Sequence, residues 1–397
     1  MDHIKILIFL SISFSGCLPA NEIEIPEHIA QLENLTVYDI KDTAPLDMHL
    51  EAEVIFGGST EAFIGSISGI AVDQAGRVFL GDGGQRTVYI FNPDGSYLTN
   101  LGRPGEGPGE FRSMDSNLKV NSEYLFVYDP ARRRINVFSL EELTPFHTIN
   151  LSWEEWSAFE ELKGAAPVEF FPKEDNSLVL SFIRSRQANQ INEQVSMFDR
   201  DRLYYLLDDQ GKIISDKLFE VEDSRNFSFQ MPGWSVSFSY PFFGHALTGL
   251  TGHHLLLADP KDFLVKVYDV EGNYLRAFYY PFKKKELTRE EAIRYSQDEV
   301  LQNVARNIQL PESWPVLNDL VVDDEDRIWV STIIDNEDEY KWWVLDEDGS
   351  LLARFHWPVD KLIVVVKGGY VYTRETDLET DLQKVVKYRI EWSKDGW

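Results

Sequence analysis

The fold of this chain is indicated by Gly69-Ile-Ala-Val-Asp-Gln-Ala-Gly-Arg-Val-Phe-Leu-Gly-Asp82, two short apolar strands joined by an Asp-x-x-Gly turn. A second copy is Asp319-Leu-Val-Val-Asp-Asp-Glu-Asp-Arg-Ile-Trp-Val-Ser331. Each copy is followed by a third strand and another hairpin, at Asn92-Pro-Asp-Gly95 and at Asp346-Glu-Asp-Gly349. A unit of this kind buries its apolar face only against neighbouring units, so the repeat predicts the architecture of the whole chain.

Four weaker copies of the same unit complete the pattern. Their strands are short, rich in β-branched and aromatic residues, and bounded by Gly, Asp and Asn, as strands and hairpins are. Their second strands are Tyr124–Asp129, Ser177–Ser181, His254–Asp259 and Gly369–Tyr372. Six four-stranded units of about 40–50 residues are typical of a propeller. The sequence therefore predicts an all-β fold, a six-bladed β-propeller.

One strand upstream of the first unit has no unit of its own. This strand is Leu50–Phe56, whereas the sixth unit has only three strands before Trp397. If Leu50–Phe56 is the outer strand of the last blade, both otherwise open sheet edges are paired. The alternative is that Leu50–Phe56 is an ordinary edge strand.

The chain resembles the six-bladed propellers related to NHL repeats, which are common as envelope lipoproteins in the Bacteroidetes and neighbouring bacteria. The resemblance covers about residues 45–397, and its most specific element is Leu101-Gly-Arg-Pro-Gly-Glu-Gly-Pro-Gly-Glu-Phe111. This segment is similar to the Gly-rich linker that the family places between consecutive blades. The resemblance implies the propeller fold and a location in the cell envelope.

The amino terminus resembles a bacterial lipoprotein signal. The apolar segment Ile4–Phe14 is too short to span a bilayer, and Phe14-Ser-Gly-Cys17 follows it. The resemblance implies cleavage before Cys17 and acylation of its thiol, which would anchor the chain to the outer membrane. We therefore expect a signal peptide at 1–17, a tether and lead-in segment at 18–49, and the propeller at 50–397. An ordinary secretory peptide with a chance cysteine remains the alternative.

The charge and cysteine content exclude some classes of function. The chain has 38 Lys and Arg against 66 Asp and Glu, a net charge of −28. This field repels phosphate backbones and no basic patch is interleaved with aromatics, so we expect no nucleic-acid partner. Cys17 is the single cysteine, which excludes a disulfide framework and a thiolate metal site.

Two insertions interrupt the repeat. Lys283–Pro311 contains the capping-box pattern Thr288-Arg-Glu-Glu291 and apolar residues at helical spacing, which predict an inserted helix. We expect it to pack over one face of the ring. Segments 184–201 and 223–240 are polar and aromatic, and they predict lengthened hairpins or loops around the third blade.

Ligands of propellers usually sit at the mouth of the central channel, which the first strand of every blade lines. Aligning the six copies on their second strands places one residue of each blade at the same height. A shift of one position in the weaker copies would admit Glu169 and Asp319 instead. If Asp360 lies near His245, it should favour the protonated imidazole. The aligned residues are Ser68, Ser116, Val168, His245, Asn318 and Asp360.

Two classes of function remain open. The first is a binding or assembly module of the envelope for a protein, peptide or glycan ligand. The second is a metal-dependent lyase or lactonase-type hydrolase, since enzymes in the resembling family hold a metal with several His side chains, or calcium with Glu, Asn and Asp oxygens. The predicted ring has one His and one carboxylate, too few for either set of ligands. We therefore favour the binding module and expect no cofactor, with calcium as the open alternative.

Overall fold

The structure is a computed structural model that describes residues 25–40, 44–57, 64–192, 194–231, 233–296 and 298–393. Its strands form six sheets arranged as the blades of a propeller, and the first strand of each repeated unit is the inner one. This confirms the predicted fold class. None of the helices in these ranges is long and apolar enough to cross a bilayer.

The chain begins with α1 (Glu27–Ala30), β1 (Leu35–Val37) and β2 (Asp47–Phe56). Blade 1 contains β3 (Ile67–Val72), β4 (Val78–Asp82), β5 (Thr87–Phe91) and β6 (Tyr97–Leu101). Blade 2 contains β7 (Leu118–Val120), β8 (Tyr124–Asp129), β9 (Arg134–Ser139) and β10 (Pro145–Asn150), and α2 (Trp153–Trp156) follows it. Blade 3 contains β11 (Ala166–Pro172), β12 (Leu178–Ser185), β13 (Asn189–Gln190), β14 (Val195–Leu207), β15 (Phe219–Met231) and β16 (Trp234–Phe238).

Blade 4 contains β17 (Leu247–Leu250), β18 (His254–Asp259), β19 (Phe263–Asp269) and β20 (Tyr274–Tyr280), and α3 (Arg289–Arg294) and α4 (Glu299–Asn307) follow it. Blade 5 contains β21 (Leu317–Val322), β22 (Ile328–Ile333), β23 (Glu339–Leu345) and β24 (Leu351–Pro358). Blade 6 contains β25 (Leu362–Lys367), β26 (Tyr370–Thr376) and β27 (Gln383–Ser393). Apolar side chains of facing blades form the cores between them.

The Asp-x-x-Gly turn that defines the repeat has a specific backbone role. In blade 1, Asp73 accepts the backbone N–H of Arg77 at 2.9 Å, and Gly76 has a φ of +77°. Glycine adopts this left-handed conformation without a steric penalty. In blade 5 the same position is Asp326, with a φ of +61°, because Asp tolerates the left-handed region better than most residues. The turn therefore survives the loss of its glycine.

The ring closes through an amino-terminal strand. Strand β2 pairs antiparallel with β27, and Leu50 lies opposite Ile390 while Phe56 lies opposite Val385. This confirms the prediction that Leu50–Phe56 completes the last blade. The strand is three residues longer than predicted, since it begins at Asp47.

Residues 25–38 of the lead-in segment pack on blade 4. Strand β1 pairs in parallel with β20, which adds a fifth strand to that sheet. Ile29 of α1 is fully buried and contacts a cluster that includes Leu264 and Tyr279. Residues 1–24, which include the predicted signal peptide and Cys17, lie outside the described residues.

The Gly-rich segment Leu101–Phe111 leads from blade 1 toward blade 2 as predicted. The Glu110 carboxylate accepts the backbone N–H groups of Glu106 at 3.0 Å and Gly107 at 2.9 Å. A Cβ atom on Gly107 would lie 3.1 Å from that carboxylate, which is tighter than ordinary van der Waals contact. Glycine therefore lets the backbone close around the Glu110 side chain.

The two insertions pack against each other in one apolar cluster. The predicted hairpins of blade 3 are the long strands β14 and β15, of 13 residues each. The insertion at 283–311 forms two short helices rather than one, because Asp298 starts a new helix by accepting the backbone N–H of Val300 at 2.7 Å. The capping box at Thr288 and Glu291 is confirmed. Apolar side chains of both helices pack against blade 3 residues such as Phe227.

Candidate functional site

The five polar residues predicted at the channel mouth all lie at the beginning of inner strands. Ser68 in β3 and Asn318 in β21 each occupy a β-bulge, where the register of the inner strand pair shifts. Ser116, His245 and Asp360 each lie two residues before an inner strand. Because all inner strands run in the same direction, the five residues lie toward one end of the ring.

The strand registers place only part of the set at one level. Ser68, Val168 and Asn318 occupy the same bulge position in blades 1, 3 and 5. Ser68 donates its hydroxyl proton to the Gly81 carbonyl at 3.0 Å, so it is already engaged within its own blade. Asp360 is exposed in the turn between β24 and β25. The predicted residues therefore share an end of the ring without forming one contact network.

The surroundings of His245 differ from those that we expected. The side chain of His245 is open to solvent, but the surrounding blades remove part of its hydration and so lower its pKa, and the nearby charge of Arg202 lowers it further. Asp223 and Glu169 act in the opposite direction with smaller effects. The expectation that Asp360 favours a protonated imidazole is therefore wrong, because Asp360 is not among the charges that act on His245.

The structure instead brings together titratable side chains from blades 2 to 5, here named the channel cluster. One Glu169 oxygen lies 3.6 Å from Lys119 Nζ, and the other lies 3.3 Å from Arg202 Nη1. The second terminal nitrogen of Arg202 lies 2.7 Å from Asp223. Two cations and two carboxylates thus form a continuous chain of ion pairs. The channel cluster consists of Lys119, Glu169, Arg202, Asp223, His245 and Asp319.

Asp319 has the most perturbed carboxyl group of the cluster. Burial raises the pKa of Asp319 to about 7, and the negative charge of Glu169 raises it as well. The backbone N–H of Leu320, which Asp319 accepts at 2.8 Å, and the charge of Lys119 act in the opposite direction. Loss of hydration is the main cause, since it disfavours the ionised form. Asp319 therefore exchanges its proton close to neutral pH.

Sequence reasoning found some of these residues and missed others. Glu169 and Asp319 are the two residues that a one-position shift of the alignment admits. Lys119 carried a usable signal, because it is a cation between Leu118 and Val120 in a strand of three residues. Arg202 and Asp223 lie within long strands of the inserted hairpins, where charged residues are common. Only the contact between Arg202 and Asp223 across the blade distinguishes these two residues from the other charged residues of the same strands.

No group of three or more His, Cys, Asp or Glu side chains in the described ranges is arranged to hold a metal ion. The acidic turn at Asp323 also has a structural role, because its carboxylate accepts hydrogen bonds from Arg327 Nε at 2.7 Å and Trp329 Nε1 at 2.8 Å. Glu169 and Asp223 of the channel cluster are similarly engaged by Arg and Lys.

A cleft of about 660 Å³ adjoins the channel cluster. One wall is formed by β14 and β15 of blade 3, and the opposite wall by β18 and β19 of blade 4. Residues 309–315, which follow α4, contribute a third wall. Asp223 belongs to both the cleft and the channel cluster, and Ala246, the neighbour of His245, also lines the cleft.

Comparison with known proteins agrees with this architecture. Residues 31–229 match the family model DUF5128, which is described as a 6-bladed beta-propeller. No curated protein matches the chain.

Several solved structures are similar to the chain. A protein from Bacteroides fragilis described as exported is 12% identical, with a TM-score of 0.50 over 90% of this chain and 99% of its own. A DUF4221 member from Bacteroides vulgatus is 13% identical, with a TM-score of 0.46 over 87% of this chain and 99% of its own. A gluconolactonase from Xanthomonas campestris is 11% identical, with a TM-score of 0.41 over 89% of this chain and 99% of its own. At these identities the likeness concerns the fold alone.

Proposed function

We propose, on the premise that the chain belongs to the DUF5128 family of 6-bladed beta-propellers, that it is a binding or assembly module of the bacterial cell envelope. The module would be anchored through a lipid on Cys17 and would hold a protein, peptide or glycan ligand at the mouth of its channel. Support for the anchor comes from the apolar segment Ile4–Phe14 and the lone cysteine after it. The exported Bacteroides fragilis protein of the same fold is consistent with an envelope location.

The observation that carries the proposal is the chain of ion pairs in the channel cluster. Lys119 and Arg202 hold Glu169 and Asp223 at 2.7–3.6 Å, and the carboxylates come from blade 3 while Lys119 comes from blade 2. A partly buried network of this kind can exchange its internal partners for the polar groups of a ligand without a large change in charge. Catalysis with a metal would require carboxylates free to act as ligands, which these are not.

The test compares two histidines at opposite ends of the ring. His245 lies beside the channel cluster, whereas His253 is exposed in the turn after β17 at the other end. The purified full chain would be screened against arrays of glycans and peptides, and each hit would be measured again with His245→Ala and His253→Ala. We expect His245→Ala to weaken binding at least tenfold with little change in melting temperature, while His253→Ala binds normally. Equal affinity of both variants for every hit would refute the channel mouth as the site.

A second candidate function, a hydrolase that acts in the channel, is favoured by Asp319. A carboxyl group with a pKa of about 7 beside a second carboxylate suits general acid–base catalysis at neutral pH. The assay is turnover of a panel of lactones and nitrophenyl esters between pH 6 and 8, with and without added calcium or zinc. Turnover that Asp319→Asn abolishes would favour the hydrolase, and no turnover by the parent protein would favour the binding module.

A further inference from the structure

The cleft between blades 3 and 4 differs in charge from the rest of the molecule. Its lining contains five Lys and Arg residues and five Asp and Glu residues. The whole chain has 38 of the first kind and 66 of the second. The cleft is therefore locally enriched in cations, which are Arg200, Arg225, Lys261, Lys266 and Lys284.

The carboxylates in the depth of the cleft are already engaged. Asp223 lies 2.7 Å from Arg202, and Asp199 accepts a hydrogen bond from Arg225 Nε at 2.8 Å. Glu220 lies 2.6 Å from Lys217. Each of these acids has a counter-charge at hydrogen-bond distance, so none of them needs a cation from the opposite wall.

The carboxylates at the rim are engaged as well. Glu222 lies 3.4 Å from Lys261, and Asp259 accepts the backbone N–H of Lys261 at 2.9 Å. Lys284 is paired as well, with Asp262 at 2.8 Å. Glu222, Lys261 and Lys284 therefore each have a counter-charge.

Two cations of the cleft have no counter-ion. Across the ranges that the structure describes, neither Lys266 nor Arg200 has a carboxylate oxygen within 4.0 Å. Lys266 belongs to β19 on the blade 4 wall, and Arg200 occupies the bulge of β14 on the blade 3 wall. The Nε atom of Arg200 is also buried without a hydrogen-bond acceptor among these residues. Arg200 stacks on the Phe198 ring at 5.4 Å but has no counter-charge there. A half-buried cation without a counter-ion is unfavourable, and an anion in the cleft would relieve this cost.

The remaining walls are apolar. Phe242 and Trp314 are buried beside the cleft, and Phe243, Leu310 and Pro260 also line it. Apolar walls lower the local dielectric constant and strengthen a charge interaction made between them. The volume of about 660 Å³ falls within the range of small-molecule sites.

We propose that this cleft is a second site beside the channel mouth, which binds a small organic anion through Lys266 and Arg200. The anionic group is a carboxylate or a phosphate, since both offer oxygen acceptors to ammonium and guanidinium groups. A large polyanion does not fit the observations, because the net charge of −28 would repel it outside the cleft.

The experiment is isothermal titration of the purified full chain at fixed ionic strength. The probes are glucuronate, glucose as its uncharged match, and inorganic phosphate. We expect saturable binding of glucuronate, of phosphate or of both, and no binding of glucose. Binding of glucuronate alone identifies the carboxylate source, and binding of phosphate alone identifies the phosphate source. The proposal is overturned if neither anion binds, or if glucose binds as tightly as glucuronate.

Variants of two lysines locate the binding. Lys266→Met should weaken binding of the anion at least tenfold, and Lys266→Arg should retain most of it. Lys261→Met is the matched control, since Lys261 lies at the rim, 3.4 Å from Glu222, and it should change the affinity less than twofold. Melting curves verify that each variant is folded. An equal loss in the Lys266 and Lys261 variants would mean that the anion binds elsewhere.

Discussion

Replacement of Asp319 by Asn tests whether the channel holds a carboxyl group out of water. Burial raises the pKa of Asp319 from its ordinary value of 3.8 to about 7. The folded protein therefore binds this proton more tightly than the unfolded chain does. Its stabilising contribution is fully present below about pH 4 and is lost as the pH rises through about 7. Asn carries no charge at any pH, so the variant does not lose this stability as the pH rises.

The size of the effect follows from the two pKa values. A difference of about 3 pKa units corresponds to about 4 kcal/mol of unfolding free energy, of which about 2 kcal/mol is lost between pH 5.5 and 8.5. Asp319 is only partly buried, so water in the channel screens part of this energy. We expect Asn to stabilise the protein more at pH 8.5 than at pH 5.5, by about 1–2 kcal/mol. The amide oxygen still accepts the N–H of Leu320, so the backbone contact is retained.

The assay is chemical denaturation of the parent and the Asp319→Asn variant at both pH values. Asp216→Asn serves as the control, because Asp216 is exposed in a loop and its replacement should change stability equally at both pH values. A gain for Asp319→Asn that does not depend on pH would refute the argument. A loss of stability at pH 8.5 would refute it as well.

Three further results are expected. Arg202→Met should destabilise the fold by about 3–5 kcal/mol, because Asp223 would remain buried without its counter-charge, and denaturation measures this loss. Deletion of residues 47–56 should lower the melting temperature and cause aggregation, since β27 would become an open edge; a truncated chain that melts like the parent would contradict this. Cys17→Ser should release the protein from the membrane fraction or stall its processing, and full retention would exclude the lipid anchor.

The fold was largely predictable because its signals are local. The Asp73 turn and its copies recur along the chain, and alternation of apolar residues marks each strand. The sequence has an unassigned strand before the first unit and only three strands in the sixth unit. These two observations predicted that Leu50–Phe56 closes the ring. The division of the insertion into two helices was less visible, since the Asp298 cap lies inside a segment whose apolar spacing is continuous.

The sequence by itself determined the number of blades, the pairing that closes the ring and the position of the insertions, because each depends on neighbours in the chain. The channel cluster and the cleft depended on the tertiary structure. Arg202 meets Glu169 across one blade, and Asp319 interacts with Lys119 from a blade on the other side of the ring. Such contacts depend on the twist and extension of separate sheets, and a shift of one residue in an inner strand moves a side chain to the opposite face. Burial, which sets the pKa of Asp319, exists only once all the blades surround it.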